Sequence, residues 1–210
     1  MIKEFQLEIR NKNTFIGIFL YVVSTIFVCY LTFKQIISPQ TWNALFWIII
    51  LFSTVSAVSK GFIQEGQGRL LYYYTIASGT AIIFSKIFYN ILLMGVLSMA
   101  SFLFYSIFLG NIAEDLSWYL LGVLAGSSGL ATIFTLISAI AHKANNNGVL
   151  VAVLGFPIIL PMMIVIIKFS NAAIMGAARS SSLDSLLIMG LLLIIVLSLS
   201  YILFPYLWKD

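Results

Sequence analysis

Six stretches of the chain carry no charged residue: Thr14–Phe33, Trp42–Ser59, Ile87–Leu109, Leu116–Ala141, Val149–Ile167 and Ser185–Trp208. Each is near or above the ~20 residues that cross a ~30 Å hydrocarbon layer as a helix. Their apolar residues run continuously instead of alternating, which predicts helices and not barrel strands. The pattern predicts an all-α integral membrane protein whose chain crosses the bilayer six times. Residues 1–210 read as a single domain, with no linker, repeat or low-complexity tract.

The polar intervals are unequal. Between the second and third stretches lies Ser59-Lys60-Gly61-Phe62-Ile63-Gln64-Glu65-Gly66-Gln67-Gly68-Arg69-Leu70-Leu71-Tyr72-Tyr73-Tyr74, running on to Lys86. Reversing the chain needs only a few residues. This length predicts a helix or two on the membrane surface, within reach of a soluble partner. A second long interval, Lys168–Asp184, is rich in small residues and weakly charged. One reading makes it a short re-entrant helix, which would have to be covered by protein or line a cavity. The other makes it a solvated loop. At the start of the chain, Ile2, Phe5 and Ile9 fall at helical spacing among Lys3, Glu4, Glu8, Arg10 and Lys12. Met1–Asn13 therefore reads as an interfacial helix, with a frayed basic tail as the plainer alternative.

Composition agrees with burial in lipid. Of 210 residues 61% are hydrophobic and only 9% charged, against about a quarter charged in soluble domains. Placing the N-terminus inside puts Lys3, Arg10, Lys12, Lys60, Arg69, Lys86, Lys143 and Lys209 on the inner side, and Lys34, Lys168 and Arg179 outside. That asymmetry predicts both termini in the cytoplasm. The net charge of +4 then reflects topology and anionic lipid. No basic cluster marks a nucleic-acid surface. Trp42, Trp47, Trp118 and Trp208 lie near stretch ends, as interfacial belts would place them. The single cysteine, Cys29, excludes an intrachain disulfide and a Cys metal cluster, and reads as a packing residue. The N-terminal apolar stretch is too long for a signal-peptide core and reads as retained.

Candidate chemistry is sparse. Gly126-Ser127-Ser128-Gly129 matches the Gly-x-Ser-Gly pattern of rhomboid intramembrane proteases. A serine nucleophile needs a base within ~3 Å. The only histidine, His142, lies fourteen residues along the same predicted helix from Ser128, or ~21 Å. The protease reading fails, and Gly122, Gly126, Ser127, Ser128 and Gly129 read as a small-residue packing face. His142, beside Lys143 and Asn145-Asn146-Asn147-Gly148, reads as a loop residue and not as a haem ligand. No charge falls deep in any of the six stretches, as it would in most ion-coupled carriers, and no Walker A loop is present. Any transport therefore draws energy from another polypeptide. Pro157 and Pro161 interrupt the fifth stretch and predict a distorted helix, either a hinge or a static kink.

Taken in order, these parts resemble an ABC-2-type exporter permease, and within that class the CcmB family, haem exporter protein B of bacterial cytochrome c maturation. The resemblance covers essentially the full length. It rests on Glu8-Ile9-Arg10, on Phe62-x-x-Glu65-x-x-Gly68-Arg69-Leu70 followed by Lys86, and on Gly148-Val149-Leu150 leading to Pro157-x-x-x-Pro161. It implies an interfacial N-terminal helix, six spans, a cytoplasmic coupling helix between spans two and three, and short outer helices between five and six. It also implies an ATPase partner of the CcmA type, the membrane subunits CcmC and CcmD, a second copy of the chain, and haem as cargo of the complex, not as a bound cofactor. ATP hydrolysis in such systems serves haem export or the release of a haem-loaded chaperone. Carried over, Phe62, Glu65, Gly68, Arg69, Leu70, Tyr72, Tyr73 and Tyr74 form the element that docks on the ATPase. Glu65 and Arg69 stand at i,i+4 spacing, able to pair with each other or across the interface. Tyr72–Tyr74 serve either as a headgroup anchor or as partner contacts.

Two other readings compete. One is an ABC-2 permease for a lipid, glycan or drug. The other is a non-transporting scaffold whose surface segment recruits a soluble protein.

Overall fold

The computed structural model describes residues 12–33, 38–63, 79–143 and 148–208. The described residues form six helices and no strand: α1 (Lys12–Thr32), α2 (Pro39–Ile63), α3 (Gly79–Leu109), α4 (Leu116–Lys143), α5 (Gly148–Ile174) and α6 (Arg179–Trp208). In hydrocarbon every backbone N–H and C=O must be satisfied within the protein, and a helix does this inside one segment. Five of the helices are long and apolar enough to cross a membrane, while α1 contributes the shorter apolar run Ile16–Thr32.

Local signals set the helix ends. Ser38 caps α2, its Oγ accepting from the Thr41 amide at 3.3 Å, and Pro39 opens the first turn, where no amide donor is needed. Asp115 caps α4 by accepting from the Trp118 amide at 3.1 Å. Gly110 (φ 79°) and Gly176 (φ 62°) follow α3 and α5 in the left-handed conformation that only glycine adopts cheaply. Beyond Gly176, the Ala177 amide closes back on the Ala172 carbonyl at 3.0 Å, which finishes α5 cleanly.

The bundle is organised around α4, which packs on α2, α3, α5 and α6, while α1 lies at the edge against α2 and α3. Of the apolar window in α4, 72% is buried, against 17% in α6. A helix apolar all round belongs in the core, and from Leu130 to Ala139 every residue of α4 is buried. Several hydroxyls in the bundle return to the carbonyl one turn back, as Thr54 does to Ile50 and Thr135 to Ala131, so these cost little in an apolar medium.

Several sequence expectations change. Trp42 and Trp47 are not in an interfacial belt: both are fully buried, because each indole N–H finds a partner inside the bundle. The third apolar stretch begins earlier than its charge-free window, since α3 starts at Gly79 and holds Lys86, only 5% exposed. A buried cation thus sits inside a helix that read as charge-free from Ile87 onward. The Lys168–Asp184 interval is neither a long loop nor a separate re-entrant helix. Helix α5 runs through Lys168 to Ile174 and α6 begins at Arg179, leaving 175–178 as the connection. Its small residues keep helical backbone, and the Gly176 turn makes the reversal. The inner polar interval is shortened likewise, with α2 extending to Ile63. The remainder up to Gly79, and the proposed interfacial helix before Lys12, lie outside the described residues.

Candidate functional site

Five helix ends gather at one end of the bundle, outer in the topology that the Lys and Arg placement predicts. The Trp42 indole donates to the Gly110 carbonyl at 3.1 Å, tying α2 to the end of α3. The Asp115 amide donates to the Ala173 carbonyl at 3.1 Å and the Glu114 amide to the Ile174 carbonyl at 3.3 Å, tying the start of α4 to the end of α5. Arg179 then joins α6 to the same point. Its Nε donates to Asp115 Oδ2 at 2.7 Å, and its Nη2 to Asp115 Oδ1 at 3.0 Å and to Ser117 Oγ at 2.8 Å. The guanidinium also lies 5.4 Å from the Trp118 ring centre, and the Trp118 indole donates to Ser182 Oγ at 2.7 Å. Hydrogen bonds from Arg179, then from the Trp118 amide, hold the Asp115 carboxyl well below the usual carboxylate range.

Beneath this clasp lies a buried polar contact between α2 and α5. Asn43 is fully buried and its amide nitrogen donates to Ser170 Oγ and Asn171 Oδ1, both at 2.8 Å. One turn further along α2, the Trp47 indole donates to the same Ser170 Oγ at 2.9 Å. Ser170 Oγ in turn donates to the Ile166 carbonyl at 2.8 Å. Asn43 Oδ1 accepts from Tyr119 of α4 at 3.4 Å. Around this contact Trp42, Phe46, Phe102, Tyr105 and Tyr119 pack together, edge-on with centroids 4.9–6.0 Å apart between Trp42 and Tyr105, Phe46 and Tyr105, and Phe46 and Phe102, and stacked between Trp42 and Phe46. The Tyr105 hydroxyl donates to the Trp42 carbonyl at 2.8 Å. Rings fill the bundle at this level.

The small residues of α4 meet large neighbours. A Cβ on Gly122 would stand 2.6 Å from the Phe169 ring, one on Gly126 would stand 2.6 Å from the Trp47 ring, and one on Gly129 would collide with Met162. Ser127 is buried and accepts from Ser98 of α3 at 3.2 Å. Ser128 donates to the Leu124 carbonyl at 2.6 Å and lines an open, apolar groove of about 600 Å³ between α3 and α4 with Gly95 and Met99. Ser128 and His142 share one uninterrupted helix, so ~21 Å separates them along its axis.

Toward the other end, Lys86 is buried in α3 one turn before Asn90, whose amide donates to Thr135 of α4 at 2.8 Å. Pro157 and Pro161 both lie inside α5. Each lacks the amide that a helix would direct to the carbonyl four residues back, so the Val153 and Pro157 carbonyls lose their helical partners. Of the residues assigned to the ATPase-docking element, Phe62 falls in the last turn of α2. Glu65, Gly68, Arg69, Leu70, Tyr72, Tyr73 and Tyr74 lie outside the described residues. Among the described residues no group of His, Cys, Asp or Glu could hold a metal ion.

Neither the Asp115–Arg179 clasp nor the Asn43–Ser170 contact was anticipated from the sequence. Asn43 alone left a signal, as an amide inside an otherwise apolar stretch. Its α5 partners stand more than 120 residues away, on an interval that read as either a re-entrant helix or a solvated loop. Comparison with curated proteins and with solved structures returns no match. The family model described as CcmB protein matches residues 1–205. With almost its whole length matched, the chain belongs to the CcmB protein family.

Proposed function

We propose that this chain is the permease subunit that couples ATP hydrolysis by a separate CcmA-type ATPase to haem export, or to release of a haem-loaded chaperone, during cytochrome c maturation. The family match over residues 1–205 carries this reading, because the family implies a part in the haem-export system of cytochrome c maturation and a membrane permease role in an ABC-type assembly. In this reading α1 supplies a sixth crossing, both termini are cytoplasmic in a bacterial inner membrane, and the partners are the ATPase, CcmC, CcmD and a second copy of the chain. The segment from Phe62 to Tyr74 docks on the ATPase.

A mechanical role fits the interior better than a haem conduit through the middle of one chain. Trp42, Phe46, Trp47, Phe102, Tyr105 and Tyr119, at most 6% exposed, occupy the centre of the outer half. Haem carboxylates seek cations, and the described interior offers Lys86 near one end. Affinity purification of the detergent-solubilised complex tests the proposal. Co-purification of an ATPase and of haem-handling membrane subunits is expected, and recovery of the chain with a lipid-, glycan- or drug-export ATPase would assign it to a different permease.

A further inference from the structure

We propose that Asn43 and Ser170 clamp α2 to the outer half of α5, so that these two segments move as one body, with Pro157–Pro161 as the hinge that frees the inner half of α5. The inference rests on the proposed permease role, in which α2 ends at the ATPase-docking segment.

Two residues one turn apart on α2, Asn43 and Trp47, converge on a single hydroxyl of α5, Ser170. Asn43 adds a second bond to Asn171. All of this is buried, with Asn43, Trp47 and Ser170 each at 0% exposure. Separating the helices would leave the Asn43 amide N–H and the Trp47 indole N–H unpaired in an apolar medium, and each such group is costly to strand. The same outer half of α5 is held at its end by the Glu114 and Asp115 amides and is buried through Met162, Ile166, Phe169 and Ala173.

The inner half of α5 differs. Val153, Phe156 and Leu160 are 61%, 64% and 43% exposed. Between the two halves stand the prolines, whose missing amides remove two successive hydrogen bonds from the ladder. The stiff part of α5 is therefore fastened to α2, and the weak point lies just inward of the fastening. A displacement entering at the inner end of α2 would carry the outer half of α5 with it. Relative movement would be taken up at Pro157–Pro161.

Spin labels in the purified complex test this in a Cys29→Ala background. Cysteines replace Phe52 of α2 together with either Ile164, beyond the prolines, or Val153, before them; all three side chains are exposed. Between the nucleotide-free and ATP-trapped states the 52–164 distance should stay fixed, and the 52–153 distance should shift by about 2 Å or more, the scale of helix shifts in switching proteins. Ser170→Val, matched in shape to Ser170→Thr, removes the hydroxyl and should make the 52–164 distance change with nucleotide. Ser170→Thr, which keeps it, should not. A 52–164 distance that moves in the wild type, fixed distances for both pairs, or equal behaviour of Val and Thr overturns the clamp. Chain-dependent ATP hydrolysis, measured on the same samples, reports separately on the permease reading.

Discussion

Arg179 reaches back over 64 positions of sequence to hold Asp115 through two hydrogen bonds, 2.7 and 3.0 Å long. The same carboxylate caps α4, and the Asp115 amide holds the end of α5. One residue thereby joins three helix ends.

Because Asp115 is held well below the ordinary carboxylate range, its ionised form favours the folded state. The unfolded group titrates at about 3.9. The stabilisation is present above that value and is lost as pH falls through the lower folded value. Thermal melting of the detergent-solubilised protein should therefore fall more steeply below pH 4 in the wild type than in Asp115→Asn. Arg179→Gln should reduce the same acid dependence. Arg179 is exposed and the Asp115 side chain 23% so, which keeps this stabilisation small, and both variants should melt slightly below the wild type at neutral pH.

The glycine face of α4 sorts substitutions by contact. Gly126→Ala drives a methyl group into the Trp47 ring and should cost about 1–3 kcal/mol. Gly129→Ala, which meets Met162, should also destabilise, by less where that flexible side chain gives way. Gly17→Ala and Gly190→Ala meet nothing within 4 Å and serve as silent controls. Thermal shift of the four variants in one detergent reads the difference. Ser128→Ala should leave function unchanged.

Tyr105→Phe removes the hydroxyl that donates to the Trp42 carbonyl and leaves the ring stack in place. The expected loss is about 0.6 kcal/mol, near the average for hydrogen bonds between membrane helices. Trp42→Ala takes away packing as well as the bond to Gly110, and should cost about 3–5 kcal/mol. Reversible unfolding in detergent separates the two sizes of effect.

Pro157→Ala and Pro161→Ala each return a backbone donor to α5, and each should stabilise the isolated chain by about 1 kcal/mol. If the prolines form a hinge, the double variant should be the more heat-stable protein and the poorer producer of holocytochrome c. Wild-type yield from the stiffened chain would argue for a static kink.

Helices were legible because hydrocarbon permits little else, and the apolar stretches mark them directly. Their ends were less so. Counting charges closed the third stretch at Ile87, yet α3 continues past Lys86 to Gly79, since a buried lysine can lie in a helix that packs on polar neighbours. Small residues after Lys168 read as a re-entrant helix or a solvated loop, although alanine continues a helix readily and Gly176 makes the turn. Tryptophans near stretch ends suggest a belt, but Trp42 and Trp47 turn inward because Gly110, Ser170 and the bare surface at Gly126 receive them. Those partners are distant in sequence, so composition and periodicity do not show them.

In the proposed function an external ATPase acts on this chain through the segment following α2. The most direct test of that action is ATP hydrolysis and holocytochrome c production by the reconstituted complex carrying Glu65→Ala with Arg69→Ala. At unchanged membrane insertion, hydrolysis should continue while cytochrome production falls at least ~10-fold, the effect of losing about 1.4 kcal/mol of coupling. Wild-type cytochrome production by the double variant would contradict the account.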